Sequence, residues 1–113
     1  MDCIFCKIVA GEIPSNKVYE DDKILAFRDL SPEAPQHVLV IPKKHIASLA
    51  EAKEDDLELL GYIQIKISEI ADILGIKESG FRVVANTGDE GGQTVHHIHY
   101  HVLGGRFMQW PPG

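Results

Sequence analysis

Between Asp55 and Gly75 the apolar residues Leu57, Leu60, Ile63, Ile67, Ile70 and Leu74 recur every three or four positions, which sets them on one face of a single long helix. A helix cannot bury such a face alone; something must cover it. The other helical stretch is short, residues 3–10, "CIFCKIVA", closed by Gly11. The cover must come from strands. Lys17 to Glu20 and Lys23 to Asp29 read as a hairpin, and "HVLVIPK", His37 to Lys43, as a buried strand stopped by Pro42. "FRVVAN", 81–86, and "VHHIHYHVL", 95–103, bring the count to five strands. The expectation is an α+β fold, with the helix on one face of an antiparallel sheet.

The 113 residues suit one domain, 1–113, and contain no internal repeat or low-complexity tract. Hydrophobic residues make up 44% and charged residues 25%, with no apolar run long enough to cross a bilayer. The first fifteen residues mix Asp2, Lys7 and Glu12 into short apolar pieces, unlike a secretory signal, so a cytoplasmic protein without a membrane partner is expected. Seventeen acids against eleven Lys and Arg give a net charge of −6, which repels a polyanion and argues against nucleic acid as a partner. A small phosphorylated ligand is compatible with that charge, because a few N–H groups can hold one phosphate. The two cysteines, Cys3 and Cys6, form a C-x-x-C that reads as a metal half-site or a redox pair before a structural disulfide.

"TVHHIHYHVLGG", Thr94 to Gly105, puts His97, His99 and His101 at two-residue spacing. On a strand these three line one face, with His96, Ile98, Tyr100 and Val102 on the other. One face carries chemistry and the other core, and His96 goes with the core set. Three imidazoles can hold a metal, or serve as nucleophile and proton donor around a phosphate. Upstream, "NTGDEGGQT" offers the N–H groups of Gly91 and Gly92, the Gln93 amide and the Thr94 hydroxyl as holders of phosphoryl oxygens.

"QTVHHIHYHVLGGR" resembles the histidine triad signature. "CIFCKIVAGEIPSNKVYEDD", "AFRDLSPEAPQHVLVIPKKHI" and "MQWPPG" are similar, segment by segment, to the Hint branch of histidine triad (HIT) nucleotide-binding proteins. The resemblance implies the HIT-like fold, a two-fold homodimer joining two such sheets, and hydrolysis of purine nucleoside 5′-phosphoramidates. A purine nucleoside monophosphate or phosphoramidate would be the ligand, and no organic cofactor is implied. His99 would be the nucleophile, His101 would hydrogen-bond the phosphate, and His97 would fix the strand. Thr94 stands where the family usually has serine near the leaving group, and Asn86, Gly92 and Gln93 match the phosphate-side loop. Asp29 matches the acid on the ribose hydroxyls, and Ile4, Phe5, Ile8, Phe27, Leu30 and Leu39 match the apolar wall around the base. Cys3, Cys6, His45 and His97 would be the ligands of a structural zinc. Two other readings stand beside the hydrolase: a nucleotide-binding module without turnover, and a catalytic zinc held by His97, His99 and His101.

Overall fold

The computed structural model describes residues 3–113. Strands β1 (Lys17–Glu20) and β2 (Ile24–Arg28) form the expected hairpin. Asp21 makes its turn, the Oδ1 accepting the N–H groups of Lys23 and Ile24 at 2.8 and 2.9 Å. With β3 (Gln36–Pro42), β4 (Phe81–Val84) and β5 (Tyr100–Gly104) they build a five-stranded antiparallel sheet ordered β1-β2-β3-β5-β4. Helix α1 spans Ile4–Val9 and helix α2 spans Leu57–Ile73. Two 3₁₀ turns, Leu49–Glu51 and Glu54–Asp56, lead into α2; their spacing is too short for periodicity to reveal.

The pleat sorts the sheet residues. Ile24, Ala26, Val38, Val40, Tyr100 and Val102 join Ile63, Ile67, Ile70 and Ala71 of α2 in one apolar cluster. Their sequence neighbours Leu25, Phe27, Leu39 and Ile41 point the other way and pack with Cys3, Phe5 and Ile8. The long helix thus covers one face, and α1 lies on part of the opposite one.

Three expectations need correction. Leu57 is 73% exposed: at a hundred degrees per residue it sits about 120° around the helix from Ile63, off the buried face. The strand expected over 95–103 joins the ladder only at Tyr100, whose partner is Val40. Continuing it would need an N–H from Pro42, which has none, and the Ile98 N–H bonds instead to the Ile46 carbonyl at 2.6 Å. His96, outside the ladder, is exposed rather than part of the core set.

Among the described residues no helix is long and apolar enough to cross a membrane.

Candidate active site and metal centre

Cys3 is the N-cap of α1, its Sγ accepting the Cys6 N–H at 3.3 Å, and this turn brings both sulfurs to one end of the helix. Neither is in a disulfide. The segment after β3 delivers His45, and the stretch before β5 delivers His97, fully buried. Cys3 Sγ lies 3.4 Å and Cys6 Sγ 3.6 Å from His97 Nδ1; Cys6 Sγ is 3.3 Å from His45 Nδ1, and the two Nδ1 atoms are 3.2 Å apart. A tetrahedral zinc with Zn–S of about 2.3 Å and Zn–N of about 2.0–2.1 Å spaces its ligand atoms about 3.3–3.8 Å apart. Four of the six donor separations, 3.2–3.6 Å, thus lie close to the edge lengths of such a tetrahedron, and the residues fit the metal. His97 Nε2 donates to the Pro42 carbonyl at 2.8 Å, leaving Nδ1 as the lone pair facing the cluster. Burial holds the His97 pKa down, with the charges of His45 and His99 adding to it, so the ring stays neutral as a ligand must. In the metal-free chain burial and the neighbouring Cys3 raise the Cys6 thiol; a bound cation reverses that.

His99 follows on the same face, its ring 5.1 Å from that of His101. Its Nδ1 is 2.8 Å from the His97 carbonyl, which can only accept. The Nδ1 proton is thereby fixed, and Nε2 keeps its lone pair. His101 carries the opposite assignment, traced through a third residue. The Glu33 N–H donates to His37 Nδ1 at 3.0 Å, so the His37 proton is on Nε2. That Nε2 donates to His101 Nδ1 at 2.9 Å and lies 3.4 Å from Asp29 Oδ2. The His101 proton is left on Nε2. Burial above all, then the facing His99 and His37, pushes the His101 pKa down to about 4 against the pull of Asp29, so the ring is neutral at pH 7. One face thus presents a basic imidazole nitrogen beside an N–H donor.

Next to this pair a cavity of about 210 Å³ is lined by Ile4, Phe5, Ile8, Phe27, Leu30 and Leu39, with Asp29 at its wall. These are the six residues of the expected apolar wall. Leu30 is 100% exposed, so before a ligand arrives it is a rim and not core. Phe5 joins the cavity to the histidines: its ring meets Phe27, His97 and His99 edge-on at 5.5, 5.9 and 5.1 Å. Asp29 Oδ1 accepts from the Ser31 N–H at 2.8 Å, which fixes the carboxylate at the start of its turn.

The loop before the histidines differs from expectation in detail. Gln93 is buried, its Oε1 taken by the Gly88 N–H and its Nε2 donating to the carbonyls of Ala47 and Val95. The amide is fully committed, so Gln93 shapes the loop rather than offering a donor to phosphate. The Gly92 N–H is likewise spent on the Asp89 carbonyl, and its φ of +79° explains the glycine by turn geometry. A Cβ on Gly91 would collide with the Thr87 backbone. Thr94 is exposed and Asn86 half-buried.

His97, His99 and His101 do not converge on one ion. Among the described residues, donor groups close enough to share a metal are Cys3, Cys6, His45 and His97, and separately Asp29, His37 and His101. This counts against the catalytic-zinc reading. His37 was the residue sequence reasoning missed. It reads there as the first residue of a strand, and only the register, with Leu39 opposite His101, sets it two positions along on the same face. Ser15 is a second: its buried Oγ has no hydrogen-bond partner among the described residues, and the residue lines the cavity.

Comparisons with known proteins point to one family. The family model described as "HIT domain" matches residues 10–108. An "uncharacterized HIT-like protein" of Synechococcus elongatus is 54% identical over 99% of this chain and 97% of its own length. A "14 kDa zinc-binding protein" of Zea mays is 53% identical over 97% of this chain and 87% of its own. Among solved structures, a HIT family hydrolase from Legionella pneumophila superposes with a TM-score of 0.97 at 54% identity, covering 99% of this chain and 100% of that one. A histidine triad protein from Clostridium difficile gives 0.93 at 52%, covering 96% and 95%. With the family model spanning most of its length and these relatives nearly all of it, the chain belongs to the HIT domain family.

Proposed function

We propose that this protein is a HIT hydrolase of the Hint branch, a single domain over 1–113 that cleaves purine nucleoside 5′-phosphoramidates through a nucleotidyl-His99 intermediate. The observation that carries the reading is the pair of opposite tautomers on one face: His99 with Nε2 unprotonated, His101 with Nε2 protonated. His99 Nε2 attacks the α-phosphorus and the P–N bond to the amine breaks, the amine leaving with a proton taken from solvent and with the exposed Thr94 hydroxyl assigned beside it. Water then breaks the His99–phosphorus bond, giving the nucleoside monophosphate and returning His99 to its neutral form. His101 Nε2–H donates to a phosphoryl oxygen as charge builds there. Asp29 suits the ribose hydroxyls, because a carboxylate accepts from two O–H groups, and the apolar cavity suits a base.

Cys3, Cys6, His45 and His97 would hold a structural zinc, as their donor separations and the Zea mays relative's name support. Its contribution would be to tie α1 to the histidine stretch; no step of the reaction passes through it. Metal analysis should find about one zinc per chain, and well below one sinks the assignment. A homodimer is supported by the uncovered edge of β4 and by Phe107 and Trp110, exposed beside it at 97% and 81%. A monomeric mass by light scattering at micromolar concentration would defeat that part. A cytoplasmic setting suits a reduced Cys3–Cys6 pair.

The test of the reaction is release of AMP from adenosine 5′-phosphoramidate, with His99→Ala and an EDTA-treated sample in parallel. Chelator-resistant release lost in His99→Ala is expected. Binding of AMP without release by the unmutated protein would replace the hydrolase with a binding module.

A further inference from the structure

The two tautomers on the histidine face are written by backbone groups, and one of those groups is held in place from outside. The His97 carbonyl that fixes His99 is two residues away in sequence. The Glu33 N–H that fixes His37, and through it His101, belongs to the turn between β2 and β3, four residues before His37. Within the turn the Asp29 N–H bonds to the His37 carbonyl at 3.0 Å and the Ser31 N–H to Asp29 Oδ1 at 2.8 Å, and neither bond holds the Glu33 peptide itself. The holding contact comes from the far end of β5. Arg106 Nε and Nη2 both donate to the Glu33 carbonyl, at 3.2 and 3.0 Å, while its Nη1 donates to the Phe107 carbonyl at 3.2 Å. A rigid guanidinium fork gripping one carbonyl fixes the orientation of the peptide groups around it in a way a single ammonium cannot. A second contact backs it: Gly105, with φ +93°, lets the chain lie so near the turn that a Cβ there would sit 2.8 Å from Pro35 Cβ.

The geometry points to Arg106 as a positioning residue for catalysis, holding Glu33 so that its N–H sets the proton on His37 and, through His37, leaves His101 an N–H donor. The hydrogen bonds of Arg106 go to Glu33 and Phe107 and not to the histidines; it acts three hydrogen bonds away from His101 Nδ1. The inference rests on the hydrolase reading for its effect on rate, but the tautomer it invokes can be seen without turnover.

The experiment uses the whole 113-residue chain, zinc-loaded and labelled with ¹⁵N on histidine, read by long-range ¹H–¹⁵N correlation at neutral pH. The unmutated protein should show His37 and His101 each protonated on Nε2 alone. Arg106→Met, which keeps the stem and removes the fork, should mix the His37 tautomers. It should also lower kcat on adenosine 5′-phosphoramidate about tenfold, a modest part of what a general acid or hydrogen-bond donor contributes, with KM within about twofold. Arg106→Lys should restore part of both signals. Should Arg106→Met not fold, Gly105→Ala moves the same turn with Arg106 intact and should mix the tautomers likewise. A His37 that keeps one tautomer in these variants overturns the assignment, even if the rate falls. Expected tautomers in an unmutated protein that releases no AMP would instead retire the hydrolase reading and leave the positioning role standing.

Discussion

Phe5→Ala tests whether α1 belongs to the site or merely covers the sheet. The ring is 6% exposed, and truncating a buried Phe costs about 3–5 kcal/mol. Two features of its surroundings pull in opposite directions. Its three edge-on ring contacts, with Phe27, His97 and His99, add to the loss, each aromatic pair being worth about 0.5–1.5 kcal/mol beyond its area. The adjoining cavity of about 210 Å³ subtracts, because side chains and water can move into the gap. About 3–4 kcal/mol is the balance, which at this chain length lowers Tm by about 12–16 °C. Phe5→Leu, which keeps most of the apolar volume, should lose less than half as much. Urea and thermal unfolding of the zinc-loaded protein measure the stability, and calorimetric titration with AMP measures the binding. AMP should bind about tenfold more weakly, equivalent to about 1.4 kcal/mol. A loss under about 1.5 kcal/mol with AMP affinity unchanged would refute the argument that α1 walls the site.

Two predictions concern pH. His101 titrates near 6.5 when unfolded but is pushed down to about 4 when folded, mainly by burial, so the unfolded chain binds the extra proton. Stability should fall as pH drops from about 6.5 towards about 4, by up to about 3 kcal/mol in full. His101→Gln should flatten that slope in urea midpoints taken at pH 7 and pH 5, and equal slopes would exclude it as the source. Asp21 behaves in the opposite range. Against the upward push of its own burial, hydrogen bonds from Tyr62, Lys23, Ile24 and Tyr19 hold its carboxyl down to about 2. Its contribution is present above pH 3.8 and lost as pH falls to about 2; after allowing for solvent screening, Asp21→Asn should cost about 1–2 kcal/mol at pH 7. A loss below about 0.5 kcal/mol would show that the hairpin is not latched to α2 through Tyr62.

Local pattern carried much of this molecule. The periodicity of Ile63, Ile67 and Ile70 gave the long helix its buried face, and strand patterning gave four strands close to their observed limits, whereas the fifth begins only at Tyr100. What stayed hidden depends on pairs distant in sequence. His37 and His101 are 64 positions apart and meet only because β3 and β5 adjoin. The role read into the Gln93 amide failed for a related reason: its acceptor on Ala47 lies 46 residues away, and no count along the chain shows that the donor is already spent. The donor set of Cys3, Cys6, His45 and His97 came from resemblance; geometry adds the spacing and the Pro42 contact that choose Nδ1 of His97.

Val38, Val40, Tyr100 and Val102 face α2, whereas Leu39 and Ile41 between them face α1, with His101 opposite Leu39. Core and chemistry are thus interleaved residue by residue on two neighbouring strands. Inserting one residue just after Ile98 would shift the register by a single step and exchange the two sets, presenting apolar side chains to the ligand and imidazoles to the long helix. The spacing along β3 and the histidine stretch is therefore a frame in the sense of a reading frame: substitutions can be absorbed there one at a time, but a change in length rewrites every position after it.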